Sequence, residues 1–243
     1  MNLKISLALL TLVMTIAVQA QTLDDIIAKS LAARGGVDKI KAIQSERLTG
    51  HISLGPDAEG PFLVEIKRGG KMREEMTLNG KANIRATDGS SGWVSIGSDA
   101  PIELSEGDIK NMAGGADLDG PLMDYKAKGN RVEYAGKEKL DGRDTYRLTV
   151  TLSNGDVRDE YIDCESNLGV KWTGKISSGG KEFDVQSFFR DYRKVDGVMF
   201  AFLIDSETIG TPYKQKITFD KVEVNLALDD ALFQKPTPPA EKK

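Results

Sequence analysis

The chain has very few of the side chains on which catalytic and metal sites usually depend. Its 243 residues include one histidine, His51, and one cysteine, Cys164. A Ser–His–Asp triad, a Cys–His dyad or a histidine-rich metal site would therefore have to include His51. Nucleophile-elbow, HExxH, CxxC and glycine-rich phosphate-binding motifs are absent from the sequence. We therefore expect a protein that is not an enzyme and that uses no cofactor or metal ion.

The single cysteine and the modest charge exclude two further classes of protein. Cys164 has no second cysteine with which to form an internal disulfide, and a buried structural thiol is favoured over a reactive thiol or an intermolecular bridge. The formal net charge is −4, which argues against non-specific binding to nucleic acid. His51 falls on the polar side of its predicted strand, so an ordinary solvated or hydrogen-bonded histidine is expected.

Carboxylates are plentiful, but their spacing does not favour acid–base chemistry. Adjacent acidic residues occur as Asp24-Asp25, Glu74-Glu75 and Asp229-Asp230. Neighbours on a strand point to opposite faces, so Glu74 and Glu75 do not converge, and these pairs are expected on a solvated surface. Asp117, Asp119 and Asp124 resemble a calcium loop only faintly, because a third ligand position and the terminal glutamate are missing. Turn and capping roles are favoured there over metal binding.

Long hydrophobic runs are confined to the N-terminus. Lys4 precedes an uncharged apolar stretch from Ile5 to Val18, and Val18-Gln19-Ala20 has the small-x-small pattern of a cleavage site. This arrangement predicts a signal peptide over residues 1–20, with an uncleaved N-terminal anchor as the alternative. No later stretch is long and apolar enough to cross a bilayer. We therefore expect an exported, soluble mature protein in the periplasm.

The apolar periodicity changes early in the chain. Residues 22–34 have helical spacing, with Thr22 as a cap and Gly35-Gly36 as a stop, and a second short helix is expected around Val37 to Ile43. From Ser45 onward the spacing becomes two, and tight-turn pairs separate the apolar runs, with Asn79-Gly80 as the clearest hairpin signal. This pattern predicts a mainly β protein with an antiparallel meander.

Two segments depart from the strand pattern. Residues 105–125 have helical spacing interrupted by Gly114-Gly115 and Gly120-Pro121, which predicts two short helices outside the sheet. Residues 235–243 are rich in proline and charge, so we expect a disordered tail. The remaining residues, 21–234, are expected to form one domain.

The strands carry more large apolar side chains than three short helices would cover. If the sheet curls, its interior is either a cavity or a packed core, and periodicity does not distinguish a filled interior from an empty one. The candidates for a hydrophobic cavity and its cover, assigned from strand parity and helical spacing, are Phe62, Met72, Met76, Trp93, Ile109, Met112, Leu118, Leu122, Met123, Trp172, Phe189, Phe200 and Phe202.

Eight segments of the chain together have a familiar pattern: AARGG (32–36), VDKIKAI (37–43), RLTGHISL (47–54), DGPLMDYKAKGN (119–130), YRLTVTLSNGDVRDEYID (146–163), FFRDYRKVDGVMFAF (188–202), KITFDKVEVN (216–225) and DDALFQKP (229–236). These segments resemble the bacterial outer-membrane lipoprotein-sorting family, the LolA-like periplasmic carriers. They extend over nearly the whole mature chain and consist of fold residues. They therefore indicate a fold more specifically than a cargo.

The resemblance implies a strongly curved antiparallel sheet, an incomplete β-barrel, with a few short helices across its concave face. It implies that residues 105–125 form a lid and that an arginine of the sheet fastens it. Arg47, Arg73 and Arg85 are the candidates by strand position.

The expected function is that of an exported, monomeric carrier for a lipid or a lipoprotein acyl chain. The expected partners are an inner-membrane donor and an outer-membrane acceptor. The alternatives are a periplasmic sensor or protein-interaction module that uses the same concave face, and a carboxylate hydrolase.

Overall fold

The computed structural model describes residues 22–55, 57–178 and 180–236. The predicted signal peptide and the tail beyond residue 236 lie outside these described residues. Lys235 and Pro236, the described start of the predicted tail, have no regular secondary structure. In the described part of the chain, no helix is long and apolar enough to span a membrane.

Thirteen strands in the described residues form one antiparallel sheet. In chain order, β1 to β13 are Ser45–Ser53, Glu59–Lys67, Lys71–Leu78, Lys81–Thr87, Gly92–Ile96, Ile102–Glu103, Arg131–Leu140, Arg143–Thr151, Val157–Asp163, Gly169–Ser178, Lys181–Val195, Val198–Thr208 and Lys214–Val224. Their order in the sheet is β6-β5-β4-β3-β2-β1-β13-β12-β11-β10-β9-β8-β7. The sheet is therefore open among the described residues, with β6 and β7 at its edges, and the predicted mainly β meander is confirmed.

Two predicted helices are present at the N-terminus. Helix α1 (Leu23–Arg34) begins with a capping box between Thr22 and Asp25, and ends at Gly35, whose φ of 141° is readily adopted only by glycine. Helix α2 is Val37–Ala42. Both ends of α1 were therefore predictable from capping chemistry.

The excursion between β6 and β7 contains one helix where the sequence predicted two. Helix α3 (Glu106–Gly115) is capped by Ser105, as expected, but residues 117–129 form consecutive turns. Gly120 and Asp124 have positive φ, and Pro121 lacks an amide hydrogen, so a second helix does not form. We call residues 106–129 the cover segment.

The sheet has one face packed under the helices, which we call the inner face. A large apolar cluster there joins strands from both ends of the chain to α2 and the cover segment. Its strand members are Leu48, Ile52, Phe62, Val64, Ile66, Met72, Val198, Phe200, Phe202, Ile217, Phe219 and Val222. A second cluster packs Ile26 and Ile27 of α1 against Leu148 and Val150 of β8, which are fully buried.

The opposite, outer face is covered at β1 to β5 by the C-terminal residues 225–234. Phe233 ends a short 3-10 helix (Asp230–Phe233) and is 1% exposed. Its carbonyl accepts a hydrogen bond from Trp93 Nε1 at 3.2 Å. Asp230 lies 2.7 Å from both Lys67 and Lys71. These contacts hold the C-terminal segment against the outer face.

Candidate ligand-binding face and its cover

Most of the residues predicted to line a cavity lie together on the inner face. The large apolar cluster contains Phe62, Met72, Met76, Met112, Leu118, Met123, Phe200 and Phe202. Leu122 packs instead against the second cluster, beside α1. Phe189 pairs with Ile204, and Trp172 pairs with Ser187, which assigns both to the inner face by register. Ile109 of α3 approaches Gly92 of β5.

Trp93 is the exception among the predicted lining residues, because it lies on the outer face. Its register partners across the sheet are Ala86, then Arg73, then Glu65. That row faces the C-terminal segment, and Trp93 is 5% exposed beneath it. Large buried aromatics look alike in a sequence, whichever face of the sheet covers them. Trp93 is therefore not part of the candidate site.

The inner face is not uniformly apolar. Glu74 of β3 pairs with Arg85 of β4, and Glu74 is 8% exposed, so the expectation of a solvated Glu74 is wrong. The expectation that Glu74 and Glu75 point to opposite faces holds, since Glu75 pairs with Arg73 on the outer face.

A second ion pair lies on the inner face of β9. Arg158 Nε is 2.7 Å from Glu160 Oε1, and the Arg158 guanidinium lies 5.8 Å from the centre of the Trp172 ring. Burial raises the pKa of Glu160, and the charge of Arg158 opposes that shift. The interior therefore offers charged as well as apolar contacts to a ligand.

Two arginines hold the cover segment against the rest of the protein. Arg68, which directly follows β2, donates to both oxygens of the Asp119 carboxylate, at 2.8 and 3.1 Å. Arg34, at the end of α1, donates to the carbonyls of Leu118 and Asp119, each at 2.8 Å. We call Arg34, Arg68 and Asp119 the latch.

Among the described residues, the three arginines proposed from strand position to fasten the lid form no hydrogen bond or ion pair with the cover segment. Arg47 and Arg73 lie 2.6 and 3.5 Å from Glu65 on the outer face, and Arg85 pairs with Glu74. Sequence reasoning missed Arg34 and Arg68 because both stand next to double glycines at element ends. Nothing local in the sequence indicates that these two ends meet residue 119.

The aspartates of the faint calcium-loop pattern are each paired with a cation. Asp117 accepts from Lys128 at 2.7 Å, Asp119 accepts from Arg68, and Asp124 lies 2.6 Å from Lys41. Their carboxylates are thus used for ion pairs that fix the turns. A pocket of about 300 Å³ opens beside them. It is lined by Arg68, Gly69, Gly70, Ala113, Ala116, Asp117 and Leu118.

Glu46 of β1 lies beside Arg68 of the latch and is 6% exposed. Its register partners are Ile66 and Val224. Burial raises its pKa to about 7, against the opposing charges of Arg34 and Arg68. Within the described residues its carboxylate makes no hydrogen bond. Sequence periodicity gave no reason to single out this residue.

The environments of His51 and Cys164, the single histidine and the single cysteine, are those of structural residues. His51 is well exposed, and its Nδ1 lies 3.3 Å from Asp220 on the neighbouring strand β13. Cys164 is a free, half-buried thiol packed against the second apolar cluster. Burial raises the pKa of the Cys164 thiol, which disfavours the reactive thiolate.

The fold is similar to that of several solved structures, among them a LolA superfamily protein. No family model matches the sequence, and no curated protein matches it significantly. A LolA superfamily protein from Nitrosomonas europaea superimposes with a TM-score of 0.55 and 16% identity, over 89% of this chain and 99% of its own.

Two further solved structures also superimpose on this chain over most of its length at low sequence identity. A DUF1329 family protein from Desulfovibrio piger has a TM-score of 0.59 and 12% identity, covering 88% of this chain and 98% of its own. A putative outer membrane lipoprotein-sorting protein domain from Vibrio parahaemolyticus has a TM-score of 0.56 and 11% identity, covering 87% and 95%. At these identities the comparisons establish a shared architecture over the full domain, as the sequence segments suggested.

Proposed function

We propose that this chain is an exported, periplasmic binding protein that holds the acyl chain of a lipid or lipoprotein between the inner face and the cover segment. It would act as a monomer between an inner-membrane donor and an outer-membrane acceptor. The observation that carries the proposal is the latch, which fastens the cover segment so that its buried apolar side chains, Met112, Leu118 and Met123, face a mainly apolar sheet face.

The sheet has the shape of an incomplete barrel in this proposal. Ile109 of α3 approaches Gly92 of β5, while Asn111 of the same helix hydrogen-bonds to the backbone of Ser177 in β10. Eight strand-to-strand steps separate β5 from β10 in the sheet order. On a flat sheet they would extend over about 38 Å, whereas a ten-residue helix is about 15 Å long. Strong curvature accounts for how one short helix reaches both strands.

Burial provides the binding energy in this mechanism. Each methylene transferred from water to an apolar interior contributes about 0.8 kcal/mol, so half of a long acyl chain gives useful affinity. The methionines Met72, Met76 and Met112 are flexible and polarizable, which suits a surface that must repack around a chain. Release requires that the cover segment open, because burial alone does not favour the free state.

A protein-binding sensor is the second candidate, and the charged side chains on the inner face favour it. An acyl chain cannot form hydrogen bonds with the Arg85–Glu74 pair or the Arg158–Glu160 pair. A polypeptide segment has backbone donors and acceptors that can bond to the side chains of both pairs. In this alternative the same inner face binds an extended peptide when the cover segment opens.

The test is co-purification of lipid. The full chain is expressed with its N-terminus intact, purified from the periplasm without detergent, and examined by native mass spectrometry followed by lipid extraction. Bound acyl chains at about one per protein would support the carrier. A ligand-free mass, together with no uptake of phosphatidylglycerol or of a triacylated lipopeptide, would contradict it.

Adjacent residues of β12 provide matched variants for this experiment. Ile204 pairs with Phe189 and Ile217 on the inner face, whereas Leu203 pairs with Arg190 and Thr218 on the outer face. Both side chains are half-buried. Ile204→Glu is expected to abolish lipid binding, and Leu203→Glu to retain it. Equal loss in both variants would indicate misfolding or binding elsewhere.

A further inference from the structure

A buried acidic group, Glu46, lies beside Arg68 of the latch and, among the described residues, makes no hydrogen bond to the cover segment. Glu46 pairs with Ile66 of β2, and the Arg68 amide donates to the Gln44 carbonyl at 2.9 Å, so Glu46 and Arg68 are close neighbours on adjacent segments. The charges of Arg34 and Arg68 both lower the pKa of Glu46, against the effect of burial. Both arginines bind residue 119 of the cover segment, through its carboxylate or its carbonyl. The Glu46 carboxylate itself makes no hydrogen bond among the described residues. Burial of most of the Glu46 side chain disfavours its charged form.

We propose that Glu46 couples the cover segment to protons, so that the latch is closed when Glu46 is neutral and is weakened when Glu46 is ionised. This inference concerns the regulation of the proposed binding site and rests on the proposed function only for its biological use. The coupling itself follows from the position of Glu46 near two arginines that also donate hydrogen bonds to Asp119.

The charges around Glu46 explain why ionisation weakens the latch. Arg34 reaches the site from α1 and Arg68 from the turn after β2, while the cover segment contributes Asp117, Asp119 and Lys128. When Glu46 is neutral, Asp119 and Asp117 are the carboxylates acting on Arg68, and Lys128 neutralises Asp117.

When Glu46 is ionised, both arginines are shared between it and Asp119. Arg34 also lies near Tyr192 of β11, but the pKa of that phenol is raised by burial, so Tyr192 stays neutral throughout the relevant range. The strands that flank β1 contribute Ile66 and Val224 opposite Glu46, which supply no compensating charge.

The direction of the pH dependence follows from linkage. In the closed state the pKa of Glu46 is about 7, and in the proposed open state water reaches the group, so its pKa returns towards the ordinary value of 4.5. The closed state therefore binds the proton more tightly than the open state. Closure is favoured at low pH, and this advantage is lost as pH rises through about 7, by up to about tenfold per pH unit.

Hydrogen exchange of the ligand-free protein tests the coupling. The reporters are the backbone amides of Lys128, Gly129 and Asn130, which donate hydrogen bonds to the carbonyls of Asp124, Lys126 and Tyr125. Protection factors, corrected for the intrinsic rate at each pH, are expected to fall about tenfold between roughly pH 6 and pH 8 in the wild type. They are expected to stay high and constant in Glu46→Gln.

Glu133→Gln is the matched control, because Glu133 lies exposed on edge strand β7 and should leave the wild-type pH dependence unchanged. The proposal is overturned by a wild type with constant protection, or by Glu46→Gln that keeps the wild-type pH dependence.

If Glu46→Gln does not fold, selective ¹³C-carboxyl NMR of the wild type must find a glutamate that titrates near pH 7. Its absence would also overturn the coupling. If protection of the cover segment depends on pH but the protein binds no lipid, the proposed function is contradicted and the coupling still stands.

Discussion

Arg68 and Asp119, which lie 51 residues apart in the chain, form a two-point ion pair with Nη2–Oδ1 and Nη1–Oδ2 distances of 2.8 and 3.1 Å. Arg68 also donates to the carbonyls of Ile40, Lys41 and Ile43, which fixes its guanidinium plane. Because the cation is held in place by the sheet and by α2, the ion pair orients the cover segment with respect to both.

The strength of this ion pair is measurable by a double-mutant cycle. Arg68→Met, Asp119→Asn and the double variant are compared by urea unfolding, with an expected coupling of about 1–2 kcal/mol, since hydrogen bonds to charged groups are stronger than neutral ones. The cycle cancels the loss of the other Arg68 bonds. Arg131 and Glu133, an exposed pair on β7, should couple by less than about 0.5 kcal/mol. Equal coupling in both cycles would show that the latch has no special role.

The C-terminal segment is expected to be a structural part of the domain. Phe233→Ala should lower the free energy of unfolding by about 3–5 kcal/mol, because it empties a fully enclosed site over β3 and β4 and loosens the Trp93 hydrogen bond. Leu232→Ala, next to it and half-buried, should have a clearly smaller effect. Urea denaturation monitored by tryptophan fluorescence measures both. Similar effects for the two variants would argue that Phe233 has no specific role.

Two glycines should respond oppositely to alanine. A Cβ at Gly50, where the register of β1 against β13 shifts, would lie 2.0 Å from the carbonyl oxygen of Thr218, so Gly50→Ala should destabilise by about 3 kcal/mol. Gly114 of α3 has no atom within 4 Å of such a Cβ. Gly114→Ala should therefore be neutral or stabilising by up to about 1 kcal/mol. Thermal unfolding of the two variants would contradict this account if they shifted in the same direction.

The turn between β4 and β5 should make a pH-dependent contribution to stability. Asp88 accepts hydrogen bonds from the amides of Ser90 and Ser91 at 2.9 and 2.8 Å, and these bonds lower its pKa to about 2. A depressed carboxylate pKa stabilises the fold above the unfolded value of 3.8 and loses this contribution as pH falls through about 2.

The variant Asp88→Ala tests this sign. It should be less stable than the wild type near neutral pH, and the two free energies of unfolding should converge as the solution approaches about pH 2. Asp99→Ala, in the next turn, should be near neutral, since the Asp99 carboxylate accepts no hydrogen bond among the described residues. A difference for Asp88→Ala that is constant with pH would rule out the ionisation account.

The candidate site was only partly predictable. Phe62, Met72, Phe200 and Phe202 reached the inner face as strand parity indicated, because alternation within a strand is a local property. Trp93 is buried as well, but it lies on the outer face, where residues 225–234 from the far end of the chain cover it. A sequence pattern reports that a residue is buried and leaves open which segment buries it.

Local sequence is enough to specify the secondary structure elements of this protein. The Thr22 cap, the Gly35 stop and the Asn79-Gly80 turn act within a few residues, so α1 and the antiparallel meander follow from local chemistry. The latch, in contrast, depends on contacts between distant parts of the chain. Arg34, Arg68 and Asp119 lie on three separate segments, and their meeting depends on the pairing of β1 with β13 and on how α3 packs across the sheet. Such long-range geometry sums many contacts, and no single stretch of sequence encodes it.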